Sequence, residues 1–362
     1  MHCNDLMHLL LQSQPLKPIA KRGRMAYDEV MSTVSNVVPT SGFAEIVAGL
    51  LGRTADSISH VAGGGNSRIY RVNAGSRAFA LKMYPTLAHD SRDRLGVEVR
   101  ALRFLREQNI TCVPEVHASC PGFALLDWVE GATVAEPSLE DIEQALDFLT
   151  RIRHASRKPG VSAFPAASEA CLSGAEIMRQ LQARLEKLLR AAVGEPQLMD
   201  FLERDFMPVL HAREQQARGR IDFATTLPPA HRCLIPADFG FHNALKRKNG
   251  GITFIDFEYF GWDDPVKLAA DFLIHPAMRL TCPAKALFRQ RMEEEFSQDG
   301  LFTARLAALL PLFFLRWTLI LLNEFLPERW AGRAFVQATA PWQDAKTRQL
   351  AKAKIMLEEC HA

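Results

Sequence analysis

The sequence predicts an α+β fold with two lobes, a small β-rich one followed by a larger helical one. Strand-like segments crowd residues 57–129. From residue 139 onward helical periodicity dominates, broken near 157–173 and 192–196 and by one strand–loop–hairpin unit at 233–257. At 362 residues the chain is long enough for two such lobes, each with its own core. The lobe boundary is expected just after Leu126-Asp127-Trp128, giving an N-terminal extension (1–40), a first lobe (41–128) and a second (129–362).

Each element has its own signal. Residues 42–52 read as a short helix and Ser57–Ala62 as a strand running into Gly63-Gly64-Gly65-Asn66-Ser67. Residues 68–73 and 77–83 alternate as strands around the turn Asn73-Ala74-Gly75-Ser76. A helix over 91–107 places Leu95, Val99, Leu102 and Leu105 on one face, and strands are expected near 114–117 and 123–129. In the later unit, residues 244–248 and 252–255 pair across Asn249-Gly250, a strong hairpin signal.

Composition excludes several classes. Apolar residues make up 48% and charged residues 23%, with a formal net charge of +2. Nothing in that balance calls for a nucleic acid or an anionic membrane as partner. The seven cysteines are scattered, without zinc or dithiol spacing, and read as free thiols of a cytoplasmic protein. The run Leu9-Leu10-Leu11 is too short for a signal sequence. Residues 306–326 are almost long enough to span a bilayer, but Pro311 and Arg316 interrupt them. A mid-helix Arg costs roughly 2.5–3.5 kcal/mol on insertion scales, so a buried core helix is expected there. The sequence carries no signal of oligomeric state.

The polar residues of 235–265 carry the chemistry. With the turn centred on Asn249-Gly250, Asn243 falls opposite Asp256. An amide oxygen beside a carboxylate suits Mg²⁺; the alternative is an Asn–Asp hydrogen bond at a strand end. Asp238, five residues before Asn243, reads either as a proton acceptor for an attacking hydroxyl or as a turn cap. Lys82 shares a strand face with Ala80 and Tyr84, while Glu98 falls on the apolar face of the 91–107 helix. A buried carboxylate needs a cation, and Lys82 is the natural one. The Gly63–Ser67 loop lies between strands, which excludes a loop that opens a helix but leaves backbone amides able to approach phosphates.

The order of these parts is specific: Gly-rich hairpin, strand Lys82, helix Glu98, the strand ending "LLDWVEG", Asp238-x4-Asn243, then Asp256 after a hairpin. In this the chain resembles the aminoglycoside phosphotransferase and choline kinase-like family over roughly residues 42–330. The resemblance implies a bilobal protein-kinase-like fold, with ATP and Mg²⁺ used to phosphorylate a hydroxyl of a small-molecule acceptor. By motif, Asp238 matches the catalytic Asp, and Asn243 and Asp256 the metal-binding residues. Lys82 and Glu98 match the phosphate-anchoring pair, Gly63, Gly64, Gly65, Asn66 and Ser67 the phosphate loop. Leu126, Asp127 and Trp128 match the hinge whose backbone meets adenine. Asp264 and Asp271 match structural acids. The family's His and Gly before the catalytic Asp are here Pro236 and Ala237, and Glu258 stands where protein kinases carry Gly, read either as an acid approaching a second metal or as a charged bystander. Only a few residues separate Asp256 from Asp264-Pro265, which leaves no room for the activation segment of a protein kinase.

Residues 157–222 mix acids (Glu176, Glu186, Glu203, Asp205) with bases (Arg179, Arg184, Arg190, Arg204), which favours a sugar or similar neutral or anionic metabolite over an aminoglycoside. The rival reading is a catalytically silent nucleotide-binding protein on the same fold.

Overall fold

The computed structural model describes residues 40–61, 67–85, 92–330 and 341–360. The chain divides into two units, residues 1–46 and 47–362. Of the first, only the start of helix α1 (Thr40–Leu51) is described, and all that follows concerns the second.

Five antiparallel strands form the β-rich part: β1 (Ser57–Val61), β2 (Arg68–Ala74), β3 (Arg77–Met83), β4 (Val116–Cys120) and β5 (Phe123–Asp127), in the order β1-β2-β3-β5-β4. Strand β3 is therefore central, with Lys82 paired across to Ile69 on one side and to Ala124 on the other. Helix α2 (Arg94–Glu107) starts later than the sequence suggests, because Asp93 caps it by accepting the Gly96 N–H. Its buried face carries Glu98, Val99, Leu102 and Leu105.

After the short strand β6 (Ala132–Thr133), helices α3 (Leu139–Ala155), α4 (Gly174–Ala191), α5 (Pro196–Asp200) and α6 (Met207–Arg218) follow. Then comes the segment that positions the site: β7 (Cys233–Ile235), β8 (Ala244–Lys246), β9 (Ile252–Phe254) and β10 (Gly261–Asp263). Strand β10 pairs with β7, and β8 lies between β6 and β9. Gly261 has to be glycine, since a Cβ there would lie 2.5 Å from the Pro165 carbonyl oxygen. Helix α7 (Pro265–Ile274) starts at Asp264, which caps it through the Val266 N–H and is gripped by Arg305. Helices α8 (Cys282–Glu295), α9 (Phe302–Leu321) and α10 (Trp342–Glu359) complete the described chain.

The run 306–326 lies in α9 and the turn after it. Phe302–Phe325 has the length and composition to cross a membrane, yet its buried side packs on α4, α6, α7 and α10. Arg316 is matched within the fold by Glu169 at 2.5 Å and Asp271 at 3.5 Å, as suits the core helix that the sequence predicts.

The hairpin register corrects the sequence reading. Ala244 pairs with Phe254 and Lys246 with Ile252, so Asn243 stands across from Ile255, not Asp256. The connection is a three-residue loop, with the Gly250 N–H donating to the Arg247 carbonyl and Gly250 at φ +85°. Asn-Gly suits this loop as well as the two-residue turn, because both ask for glycine in a left-handed conformation.

Two predictions follow from β10. Gly261→Ala forces a methyl group into backbone atoms and should destabilise the protein by about 3 kcal/mol, read from urea unfolding. Asp263 is fully buried, with Oδ1 accepting the Cys171 and Asp264 N–H groups and Oδ2 3.8 Å from Lys267. Burial, only partly offset by Lys267, pushes its pKa up to about 7. A carboxyl whose pKa is raised on folding contributes stability in full below its unfolded value of about 4, and loses it as pH rises through 7. The stability difference between native protein and Asp263→Asn should therefore shift against the native protein between pH 4 and 7; a difference that stays flat with pH would contradict this.

Candidate active site

The site residues come from β3, α2, the loop after β7 and the loop after β9. Alternation explains the loop Asp238-Phe239-Gly240-Phe241-His242-Asn243. Phe239 and Phe241 turn into the core, where Phe239 lies 5.0 Å from Phe254 and both reach Phe272 at 5.7 Å. The residues on either side of them, Asp238 and His242, are only partly buried and meet each other. After β9 Phe257 is likewise buried, with Asp256 partly exposed before it and Glu258 buried after it.

Lys82 is buried and central to the cluster. Its Nζ lies 2.5 Å from Glu98 Oε2, 2.6 Å from Asp256 Oδ1 and 3.4 Å from Glu258 Oε2. Burial alone would lower its pKa, but Asp256 and Glu98 outweigh that and leave it well above the ordinary value. Glu98 also accepts the Tyr84 hydroxyl at 2.7 Å and the Phe257 N–H at 3.1 Å. Glu258 is neither solvated nor idle: it accepts from Arg94 at 2.7 Å and from Ser67 Oγ at 3.2 Å. Lys82 and Arg94 hold its pKa low against the opposing effect of burial.

Glu98, Asp256 and Glu258 lie close enough for one cation to touch all three. With all three ionised, the carboxylates against Lys82 and Arg94 leave one unit of negative charge. Burial first, then the neighbouring carboxylates, raises the Asp256 pKa. Such a centre favours an added cation. Asp256 itself is held at φ +69°, a turn that swings it towards Lys82 despite the hairpin register.

Asn243 adds a donor. Its Nδ2 donates to the Asp238 carbonyl at 3.0 Å, which commits the amide nitrogen and leaves Oδ1 for a ligand. Asn243 Oδ1 and the carboxylates of Asp256 and Glu258 are oxygen donors, the kind of atom that suits Mg²⁺. Asp238 is a third exposed at its side chain, and its Oδ1 is 3.1 Å from His242 Nε2. Burial would raise its pKa, but the His242 hydrogen bond prevails and keeps it low, so Asp238 is ionised.

Asp238 follows a strained turn. Its N–H donates to the Pro236 carbonyl at 2.9 Å around Ala237 at φ +63°. Such a γ-turn is rare and strained, and a left-handed backbone costs a non-glycine residue about 1–2 kcal/mol. The departure from the family's His-Gly thus falls where the backbone asks for glycine.

At the hinge the placement is mixed. Leu126 is buried in β5. Asp127 is engaged within the sheet, its N–H donating to the Glu115 carbonyl and its carboxylate meeting His117 at 2.8 Å. Trp128, just beyond β5, has Arg71 over its ring at 4.8 Å. Gly63, Gly64, Gly65 and Asn66 lie outside the described residues; Ser67 is described and bonds Glu258.

Sequence reading missed Arg94, Tyr84, His242 and His275. Arg94 stands one helical turn before Glu98, and Tyr84 on the strand face of Lys82, so both left a local signal. His275 left none, since only the fold brings it to Asp238.

A family model described as the phosphotransferase enzyme family matches residues 57–309. The chain belongs to that family. No match is found among curated proteins. Among solved structures, a spectinomycin phosphotransferase bound to ADP and spectinomycin is similar, with TM-score 0.57 and 12% identity over 89% of this chain and 97% of that one. An ethanolamine kinase from Plasmodium vivax gives TM-score 0.56 and 11% identity over 94% and 96%. An ADP-bound aminoglycoside phosphotransferase gives 0.55 and 16% over 88% and 98%. At these identities the likeness speaks for the fold, which is that of the kinase-like enzymes.

Replacing Ala237 with Gly should relieve the turn. The gain is set against the larger entropy of glycine in the unfolded chain, leaving a net stabilisation of about 0.5–1 kcal/mol in chemical denaturation. A destabilised Ala237→Gly variant would mean that the turn carries no strain.

Proposed function

We propose that the protein uses ATP and Mg²⁺ to transfer the γ-phosphate to a hydroxyl of a small molecule. The observation that carries this reading is the assembly of an ionised Asp238 beside Asn243, whose amide oxygen is left free, with Asp256 drawn to the buried Lys82–Glu98 pair.

In this reading Asp238 accepts the hydrogen bond of the attacking hydroxyl, aims its oxygen at phosphorus and takes its proton. Lys82, fixed by Glu98, meets the phosphates, and the loop Gly63–Ser67 covers them. Asn243, Asp256 and Glu258 would hold the metal, which supplies positive charge to the phosphates when bound. The backbone at Leu126–Trp128 would take the adenine; with the Asp127 N–H already used in the sheet, Trp128 is the better placed of the three. ATP and free thiols at Cys112, Cys120, Cys171, Cys233, Cys282 and Cys360 suit the cytoplasm.

For the acceptor, two acids of the helical part, Asp271 and Glu169, are already matched. Asp271 has Lys267 at 2.9 Å and Arg316 at 3.5 Å, and Glu169 has Arg184 and Arg316, each at 2.5 Å. With these two carboxylates already neutralised, neither has spare charge for a polycation, which supports a sugar, a sugar derivative or a similar neutral or anionic metabolite over an aminoglycoside.

The test is ADP release from Mg·ATP against pooled hydroxyl metabolites. An acceptor-dependent signal should fall about 10²–10⁴-fold in Asp238→Ala, and Asp256→Ala should lose metal-dependent turnover while keeping its fold. Nucleotide binding without turnover against any pool would favour the silent-kinase reading.

A further inference from the structure

We propose that His242 and His275 act as a pair of positioning residues that aim Asp238 at the acceptor, an inference that rests on the phosphotransfer reading of Asp238. Their rings stack face to face, with centroids 3.9 Å apart and planes 3° from parallel. Both present Nε2 to the same oxygen, Asp238 Oδ1: His242 at 3.1 Å and His275 at 3.9 Å. An ionised carboxylate only accepts, so the His242 contact requires a proton on Nε2.

The tautomer of His275 is fixed from its other side. Its Nδ1 accepts the Ala277 N–H at 3.2 Å, so a neutral ring carries its proton on Nε2, towards Asp238. Burial, and then His242, lowers the His275 pKa to about 4, in keeping with a neutral ring. This also argues against a metal at Asp238, His242 and His275, because a protonated Nε2 has no lone pair to give.

The pair is held firmly. The Trp317 and His275 rings pack nearly perpendicular, at 4.4 Å and 82°, and the Trp317 Nε1–H donates to Asp271 at 2.8 Å, linking α9 to α7 behind the pair. Gly240 makes the space, since a Cβ there would lie 2.8 Å from both His242 Nδ1 and Met278 Sδ. With Oδ1 held by imidazole, Asp238 Oδ2 is the oxygen left for the acceptor hydroxyl. The strained Pro236-Ala237 turn sets the backbone of Asp238, and the imidazoles set its side chain.

Hydrolysis of Mg·ATP by the full chain, with water as acceptor, tests this. His242→Phe keeps a ring to stack but loses the donor. It should lower kcat about 10- to 100-fold with KM for Mg·ATP within about twofold and an unchanged melting temperature. His242→Gln, which restores a donor, should recover kcat to within about threefold. A Phe variant with native kcat, or a Gln variant as slow as Phe, overturns the proposal. The phosphotransfer reading is checked separately: no turnover of the native protein with water or with any acceptor pool, or full turnover in Asp238→Asn, sinks that reading.

A second measurement does not depend on turnover. Long-range ¹H–¹⁵N spectra of the histidines should show His275 protonated at Nε2, and Asp238→Asn should move the His242 signals. An Nδ1-protonated His275, or His242 signals indifferent to Asp238→Asn, overturns the pairing.

Discussion

The structure depends on one buried ammonium group. Lys82, on the central strand, is shared by a helix carboxylate and by two carboxylates of the loop after β9. A lysine so far out of water is costly unless neutralised, and a buried carboxylate is no cheaper. Each member of the cluster is therefore the reason the others can stay charged. The sheet, α2 and the loop after β9 are tied by this mutual dependence as well as by a shared apolar core. Arg94 and Ser67 extend it through Glu258, so the end of the Gly-rich loop answers to the same charges.

Under the polar residues lies an aromatic floor. Phe148, Phe239, Phe254, Phe257 and Phe272 pack on one another, and Phe272 stacks on Phe288 at 3.8 Å. Short loops anchored by every second residue have little freedom to sag, which is how Ala237 and Asp256 can both be held at positive φ.

Much of this was legible in the sequence where local periodicity places a residue. Lys82 and Glu98 were found because strands repeat every two residues and helices every 3.6, so a charged group on an apolar face declares itself. Asp238, Asn243 and Asp256 were singled out by their order and spacing. The hairpin register was not, because Asn249-Gly250 serves two loop lengths equally well and a one-residue slip changes which side chains face each other. Glu258 was left open between ligand and bystander, since its partners Arg94 and Ser67 are far away along the chain. His275 has no pattern of its own: it follows the last turn of α7, and nothing local tells that this turn abuts the loop after β7.

The brevity of the segment between Asp256 and Asp264 has a consequence for control. Phe257, Glu258, Phe260, Asp263 and Asp264 are all buried there, and Gly261 is pressed against the backbone of Pro165. Many kinases are switched by a long exposed loop at this point, which a covalent phosphate orders or releases. A stretch embedded like this one has no such slack; a phosphate could enter only by unfolding it. The groups gathered at this site are set in place by folding itself.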